Sequence, residues 1–136
     1  MLVSTRGRYA IRIVLELSSR KSDERVSLAE LSERQDISLK YAESIVALLV
    51  KAGLLDGQRG KFGGYKLNRP ASQIKVGEIL TLTEESLAPV ACLDCNPNDC
   101  PKKDTCKTLP MWTKLNSLIS GYLFSVTIED LNNGKV

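Results

Sequence analysis

The chain has 136 residues, 43% of them hydrophobic, which allows one compact domain with an appended element and excludes two full hydrophobic cores. Its formal net charge is +3, but there are 13 Lys+Arg against 8 Asp+Glu through Arg69, and 6 against 8 from Pro70 onward. The basic first half fits a polyanionic partner, and an uneven solvated surface fits the same charges equally well. The sequence contains no histidine, which excludes imidazole ligands and histidine-based triads. No other catalytic constellation stands out, so we do not expect an enzyme.

The sequence also predicts where the protein works. It has no run of about 18 apolar residues, so no membrane span is expected. The first twelve residues alternate charged and apolar side chains and lack the apolar core of a signal peptide. We therefore expect a cytoplasmic protein. In that compartment, cysteines are expected to be thiols, metal ligands or redox switches rather than structural disulfides.

The first predicted helix spans about residues 8–19, with Ser4 or Thr5 as its cap. A second helix is predicted over residues 28–34, where Ser27 and Glu30 form a capping-box pattern.

A third, longer helix is predicted over residues 39–52, with Ser38 as its cap and Gly53 at its end. Only a few residues separate it from the helix before it, which predicts a helix-turn-helix. Any antiparallel helical hairpin would produce the same pattern.

Two short strands are predicted next, over residues 54–58 and 65–68. A basic, glycine-rich segment connects them: Arg59-Gly60-Lys61-Phe62-Gly63-Gly64. A phosphate-binding loop would be equally rich in glycine, but it connects a strand to a helix. A connection between two strands instead predicts a wing, a hairpin that can lie on DNA phosphates or enter a minor groove. A further helix, over about residues 76–82, is expected to pack back on this domain.

Further along, a polar, aperiodic segment of fifteen residues contains four cysteines: Cys92, Cys95, Cys100 and Cys106. Such a segment has no core of its own, so an inorganic centre is the simplest way to order it. Thiolates bind both zinc and iron–sulfur clusters, and the spacing does not decide between them. A thiol–disulfide switch and four inert cysteines are the remaining interpretations.

The last predicted helix runs from Pro110 to about residue 124 and carries an apolar stripe. The small winged domain has little surface left to cover this stripe. We expect a second copy of the chain to cover it, because a symmetric dimer also matches palindromic DNA. The alternative is a helix folded onto its own domain. The residues expected in the dimer interface are Met111, Leu115, Leu118, Ile119 and Tyr122.

Taken in order, these segments resemble the iron–sulfur cluster regulator family (IscR-type, Rrf superfamily), which includes cluster-sensing, nitric-oxide-sensing and cysteine-metabolism repressors. The resemblance covers nearly the whole chain: residues 4–10, 32–39, 51–54, 59–60, 63–65, 76–78, the cysteine segment, Trp112 and residues 127–131. It implies a mainly α fold with a small β wing and a homodimeric regulator of transcription. The implied division is a winged helix-turn-helix domain over 1–83, a linker and sensor loop over 84–107, and a dimerisation helix with a tail over 108–136.

The resemblance also implies which cysteines bind a cluster. Cys100 and Cys106 match the family's second and third ligands by their spacing to Trp112. Cys92 is our choice for the first ligand, and Cys95 is either an additional thiol nearby or the fourth ligand.

One position departs from the family pattern. Where the best-known branch has a histidine that completes a 2Fe–2S site, this chain has Leu109. The resemblance still favours a 2Fe–2S over a 4Fe–4S cluster, with the fourth ligand left open. The alternative functions are a zinc- or thiol-stabilised interaction module and a cluster-free regulator of cysteine metabolism.

The expected DNA contacts come from the start of the chain, the third helix and the wing. The N-terminal part of a recognition helix enters the major groove. There Glu43 is expected to accept a hydrogen bond from a cytosine amino group, although an ordinary exposed glutamate has the same appearance. The residues expected to contact an operator in double-stranded DNA are Ser4, Arg6, Arg8, Ser38, Lys40, Tyr41, Glu43, Ser44, Arg59, Gly60, Lys61 and Gly64.

Overall fold

The computed structural model describes residues 2–95 and 97–136. These residues form α1 (Thr5–Ser18), α2 (Leu28–Gln35), α3 (Leu39–Lys51), β1 (Leu55–Gln58), β2 (Gly64–Leu67), α4 (Val76–Thr83), α5 (Leu109–Leu123) and α6 (Ile128–Asn132). Single 3-10 turns lie at Ala71–Gln73 and Ala91–Leu93. The fold is mainly α with a small antiparallel wing, as predicted. Within the described part of the chain, no helix is both long and apolar enough to cross a membrane.

Serine side chains start the first three helices. The hydroxyl oxygens of Ser4, Ser27 and Ser38 each accept a backbone N–H from three residues further on, at 3.0, 3.1 and 3.1 Å. A cap of this kind contributes on the order of 1 kcal/mol because it satisfies an N–H that the helix leaves unpaired. Since Ser4 is the cap, α1 begins at Thr5, three residues earlier than predicted. The other two starts are confirmed.

Instead of completing the predicted capping box, the Glu30 side chain joins a cluster of ion pairs. The Glu30 carboxylate lies 2.8 Å from the guanidinium of Arg20, which also contacts Glu16 at 2.8 Å and Glu24 at 3.2 Å. Hydrogen bonds to these carboxylates, that of Glu16 first, raise the pKa of Arg20. The cluster ties the end of α1 to α2, which fixes the first half of the helix-turn-helix.

The core lies where α1, α3 and α4 meet. Gly7 allows α1 to approach α4 closely, since a Cβ atom there would lie 3.0 Å from a methyl carbon of Leu80. The apolar residues on the inner faces of these three helices are buried: Ala10, Ile13, Val14 and Leu17 on α1, Ala42, Ile45, Val46 and Leu49 on α3, and Val76, Ile79 and Leu80 on α4.

The wing is attached to the helices by two contacts that the sequence pattern did not predict. Val26 and Tyr65 exchange backbone hydrogen bonds of 2.9 and 2.8 Å, so Val26 lies beside β2 as an isolated antiparallel bridge. The guanidinium of Arg25 lies 2.7 Å from the Asp56 carboxylate and 3.1 and 3.2 Å from the carbonyl oxygens of Asp56 and Gly64. The base of the wing therefore has a defined position relative to α2 and α3.

The end of the chain returns to the winged domain. The Val76 N–H donates to the Val126 carbonyl and the Ile128 N–H donates to the Ile74 carbonyl, both at 2.9 Å. Ile128, at the start of α6, is fully buried in the same core as the α1 residues. The tail that follows α5 therefore packs on the winged part of the chain.

Candidate DNA-binding face and cysteine loop

The outward face of α3 carries the predicted recognition residues. Lys40 and Glu43 are exposed, whereas the neighbouring Ala42 is buried against the core. The Ser38 hydroxyl accepts the Tyr41 N–H as the helix cap, and the Ser44 hydroxyl donates to the Tyr41 carbonyl at 2.7 Å. Both serines thus have local structural contacts in addition to their predicted role.

Tyr41 also helps to hold α3 in place. It is half-buried, and its ring meets that of Tyr9 edge to face, with centroids 6.2 Å apart. Such a pair contributes about 0.5–1.5 kcal/mol beyond its area burial. The ring therefore positions the recognition helix on α1.

The predicted residues at the start of α1 differ in their surroundings. Arg6 and Arg8 are exposed, and Arg8 donates to the Thr5 hydroxyl at 3.2 Å. Ser4 is half-buried, and its backbone N–H donates to the Glu84 carboxylate at 2.6 Å. This geometry gives Ser4 a positioning role and leaves the two arginines as the accessible cations.

The wing tip exposes both predicted cations, Arg59 and Lys61, together with Gly60. Gly64 is different, since it is half-buried and a Cβ atom there would lie 2.7 Å from the Val26 carbonyl oxygen. The strand pairing with Val26 therefore requires glycine at position 64.

A groove runs between α3 and the wing. Its lining includes Glu43 and Lys51 from α3 and Gln58, Arg59 and Tyr65 from the wing. The structure therefore brings Glu43 and Arg59, which are sixteen positions apart in the chain, to one surface.

The cysteine loop lies between α4 and α5. All four cysteines are free thiols, with Cys92, Cys100 and Cys106 half-buried and Cys95 exposed. Among residues 2–95 and 97–136, no three side chains of the metal-binding types lie close enough together to hold a metal ion. The structure thus does not bring the three predicted ligands to one point.

The chemistry of the donors nevertheless fits a thiolate-bound centre. All four candidate donors are sulfur atoms within one polar segment, and soft thiolates select zinc, copper(I) and iron–sulfur clusters. The charge of Asp99 raises the pKa of Cys95, whereas a hydrogen bond with the Thr108 hydroxyl, 3.3 Å away, lowers the pKa of Cys106. The thiolate is the species that ligates metals, so Cys106 loses its proton for ligation more readily than Cys95 does.

The predicted dimer helix carries an uncovered apolar stripe. Met111, Leu115, Leu118 and Tyr122 are 54%, 38%, 57% and 59% exposed. Ile119 is half-buried, on the side of α5 that also carries Trp112. A contiguous apolar surface of this kind usually marks an interaction site.

A capped recognition helix, a basic wing against it and an uncovered apolar helix define the class of winged-helix regulators. The chain belongs to the Rrf2 family of iron-dependent transcriptional regulators, whose family profile matches residues 3–134. The predicted family resemblance is thereby confirmed.

Similar proteins are named as regulators of transcription. The HTH-type transcriptional regulator IscR of Serratia proteamaculans is 37% identical over 135 residues, which cover 99% of this chain and 81% of that protein. The corresponding regulator of Photobacterium profundum is 38% identical over 131 residues, covering 96% of this chain and 75% of that protein. The chain is therefore a DNA-binding regulator of transcription, and these relatives are not named as enzymes.

Solved structures confirm the fold. The structure of CymR, the global cysteine regulator of B. subtilis, matches with a TM-score of 0.80 at 30% identity, covering 96% of this chain and 95% of that one. IscR of T. potens matches with a TM-score of 0.78 at 34% identity, covering 100% and 89%. The winged-helix architecture is thus shared with both an IscR and a cysteine regulator.

Two positioning residues were missed by the sequence analysis. Arg25 contacts Asp56 across 31 positions, and Glu84 contacts Ser4 across 80. No local pattern signals contacts of such separation.

Proposed function

We propose that this chain is a homodimeric repressor whose binding to a palindromic operator is controlled by an iron–sulfur cluster in the cysteine loop. The position of the cysteine loop in the fold supports this proposal. Its four free thiols lie in the one segment that connects α4 of the DNA-reading domain to the uncovered helix α5. The protein would act in the cytoplasm, where its DNA lies.

Cys92, Cys100 and Cys106 would hold the cluster, which we expect to be 2Fe–2S, with Cys95 as the possible fourth ligand. A bound cluster would supply sensitivity to iron supply, oxidants and nitric oxide. The thiolate of Cys106 is favoured by its contact with the Thr108 hydroxyl, just before the first turn of α5. If a bound cluster fixes the position of Cys106, it would therefore also fix the position of the first turn of α5.

The start of this segment and the far end of α5, which follows it, are both attached to the DNA-reading domain. Glu84 holds the N–H of Ser4 at the start of α1, and Phe124 at the end of α5 lies against Gly77 of α4. A change in the order of the loop can therefore alter how α1, α4 and α5 sit relative to one another. Allosteric control requires a structural element with two arrangements. Both the cluster site and the DNA-binding face must be able to shift the equilibrium between them.

In the proposed complex α3 lies in a major groove and the wing lies over the adjacent minor groove. Arg6, Arg8 and Lys40 would contact phosphates, because exposed cations supply most of the affinity of such complexes. Glu43 and Arg59 line the same groove of the protein, so a base contact by Glu43 and a phosphate contact by Arg59 can form together.

The second copy would pack against α5 through its apolar stripe, which is most exposed at Leu118 and Tyr122. We propose the division into 1–83, 84–107 and 108–136, with residues 126–132 anchoring the last segment to the first. In this arrangement the dimer helix holds two recognition helices at a fixed spacing, as a palindromic operator requires.

Anaerobic purification followed by visible absorption and iron, sulfide and zinc analysis tests the proposal. We expect a coloured protein with iron and sulfide in equal amounts. A colourless protein with stoichiometric zinc would instead support the interaction module. A colourless, metal-free protein that binds DNA would support a cluster-free regulator of cysteine metabolism, which the likeness to CymR of B. subtilis favours as the second candidate.

A further inference from the structure

The wing tip carries an aromatic side chain that does not pack in the hydrophobic core. Phe62 is 84% exposed, which makes it the most exposed aromatic residue of the described chain. A phenyl ring is more stable when it is buried than when it faces water. The apolar stripe on α5 has a second copy as its proposed cover, but the wing tip lies elsewhere in the fold and needs a different explanation.

The backbone of the tip holds this ring at the apex of the wing. The Gly63 N–H donates to the Gly60 carbonyl at 3.0 Å, and Gly60 has a φ of 105°, which closes a tight turn. A Cβ atom on Gly63 would lie 2.2 Å from the Gln58 carbonyl oxygen, so the turn requires glycine there as well. The turn leaves Lys61 and Phe62 as the exposed pair.

Cations flank the ring. The Lys61 ammonium lies 5.8 Å from the centroid of the Phe62 ring, within the range of a cation–π contact, and Arg59 is exposed nearby on the same tip. A minor groove offers the complementary surface, because phosphates line its two edges and sugars and base edges form its walls and floor. Proteins that bind there commonly insert an apolar side chain between base steps.

We propose that Phe62 is an apolar wedge that enters the minor groove beside the recognition site and partly unstacks one base step. The inference rests on the proposed DNA binding and adds a specific role for a residue outside the predicted contacts. Lys61 and Arg59 hold the two phosphate backbones while the ring occupies the space between them. The wedge also gives the operator a preference at a step that no side chain reads by hydrogen bonds, because flexible pyrimidine–purine steps unstack most easily.

The test uses the 136-residue chain, with its cysteine loop intact, and a duplex selected by that protein from a pool of random sequences. 2-Aminopurine, whose fluorescence rises when a base is unstacked, replaces each adenine in turn. We expect a rise at one step beside the recognition site with the wild-type protein. Phe62→Ala should abolish that rise at saturating protein and weaken binding about tenfold, which corresponds to about 1.4 kcal/mol.

Two variants separate the wedge from general electrostatic binding. Phe62→Leu keeps an apolar side chain and should retain part of the fluorescence rise. Arg59→Ala should weaken binding but leave the rise intact at saturating protein. Thermal unfolding should be the same for Phe62→Ala and the wild type, since the ring is exposed.

The outcomes distinguish the two proposals. If the wild-type protein selects and binds no duplex, the proposed function fails and the wedge fails with it. If it binds tightly but no position responds, or if Phe62→Ala shows an undiminished rise, the wedge alone is overturned.

Discussion

The ring of Phe124 lies directly against Gly77, with its Cδ2 atom 2.5 Å from the position that a Cβ atom on that glycine would occupy. Phe124 caps α5, and Gly77 lies in the first turn of α4. Because α4 packs on α1 through Gly7 and Leu80, the contact connects the apolar helix to the helix that starts the DNA-reading domain. The position of α5 on this domain therefore depends on the absence of a side chain at Gly77.

Gly77→Ala should destabilise the protein by about 1–3 kcal/mol, since an added methyl group in a tight contact forces the neighbours apart. Alanine would otherwise stabilise a helix interior by up to about 1 kcal/mol. Urea unfolding measures the difference. Combining the substitution with Phe124→Leu, which removes ring atoms, should recover part of the loss. A Gly77→Ala protein as stable as the wild type would show that Phe124 does not occupy this place.

The dimer prediction concerns the uncovered stripe of α5. Leu118→Asp should convert the dimer to a monomer, because a carboxylate cannot be solvated in a helix–helix seam. Thr113→Asp is the matched control, since Thr113 is exposed and lies on the opposite side of the same helix. Sedimentation velocity measures both. If Leu118→Asp sediments as the wild type does, α5 is covered by something other than a second copy.

The sequence predicts those structural features that residues close together in the chain determine, such as the two ends of a capped helix. The start of α3 was predicted correctly because Ser38 caps it, and its end because Gly53, with a φ of 79°, stops it. In contrast, α6 was missed because five residues are too few to show a helical period.

Long-range contacts were also missed, because the pairing of Val26 with Tyr65 has no local pattern. The cysteine spacing predicts a thiolate centre but not the geometry of the loop, because ligands in such segments converge only as the metal binds. The exposure of the stripe on α5 could not be derived from periodicity either, since a buried helix carries the same apolar pattern.

The wing prediction compares two exposed cations. Arg59→Ala should weaken operator binding more than Lys103→Ala, because Arg59 lies at the wing tip and Lys103 lies in the cysteine loop. The logarithmic slope of affinity against salt should fall by about 1 for Arg59→Ala and stay unchanged for Lys103→Ala. Fluorescence-anisotropy titrations on one operator at several salt concentrations measure both. Equal losses would contradict the assignment of this hairpin as a DNA-binding wing.

The ligand prediction assigns different roles to the four thiols. Cys92→Ala, Cys100→Ala and Cys106→Ala should each abolish or reshape the visible spectrum of the anaerobically purified protein, because each of these thiolates would ligate an iron of the cluster. Cys95→Ala, in the same loop, should keep the spectrum. A Cys106→Ala protein with an unchanged spectrum would overturn the site assignment, and loss of the spectrum in Cys95→Ala would make Cys95 the fourth ligand.

If the cysteine loop controls DNA binding, the protein must bind its operator with different affinity with and without the cluster. One anaerobic preparation is divided, the cluster is removed from half of it, and both halves are titrated with the same selected operator at the same salt concentration. We expect affinities that differ by about tenfold or more, corresponding to a coupling free energy of about 1.4 kcal/mol or more. Equal affinities of the two forms across selected operators would contradict it.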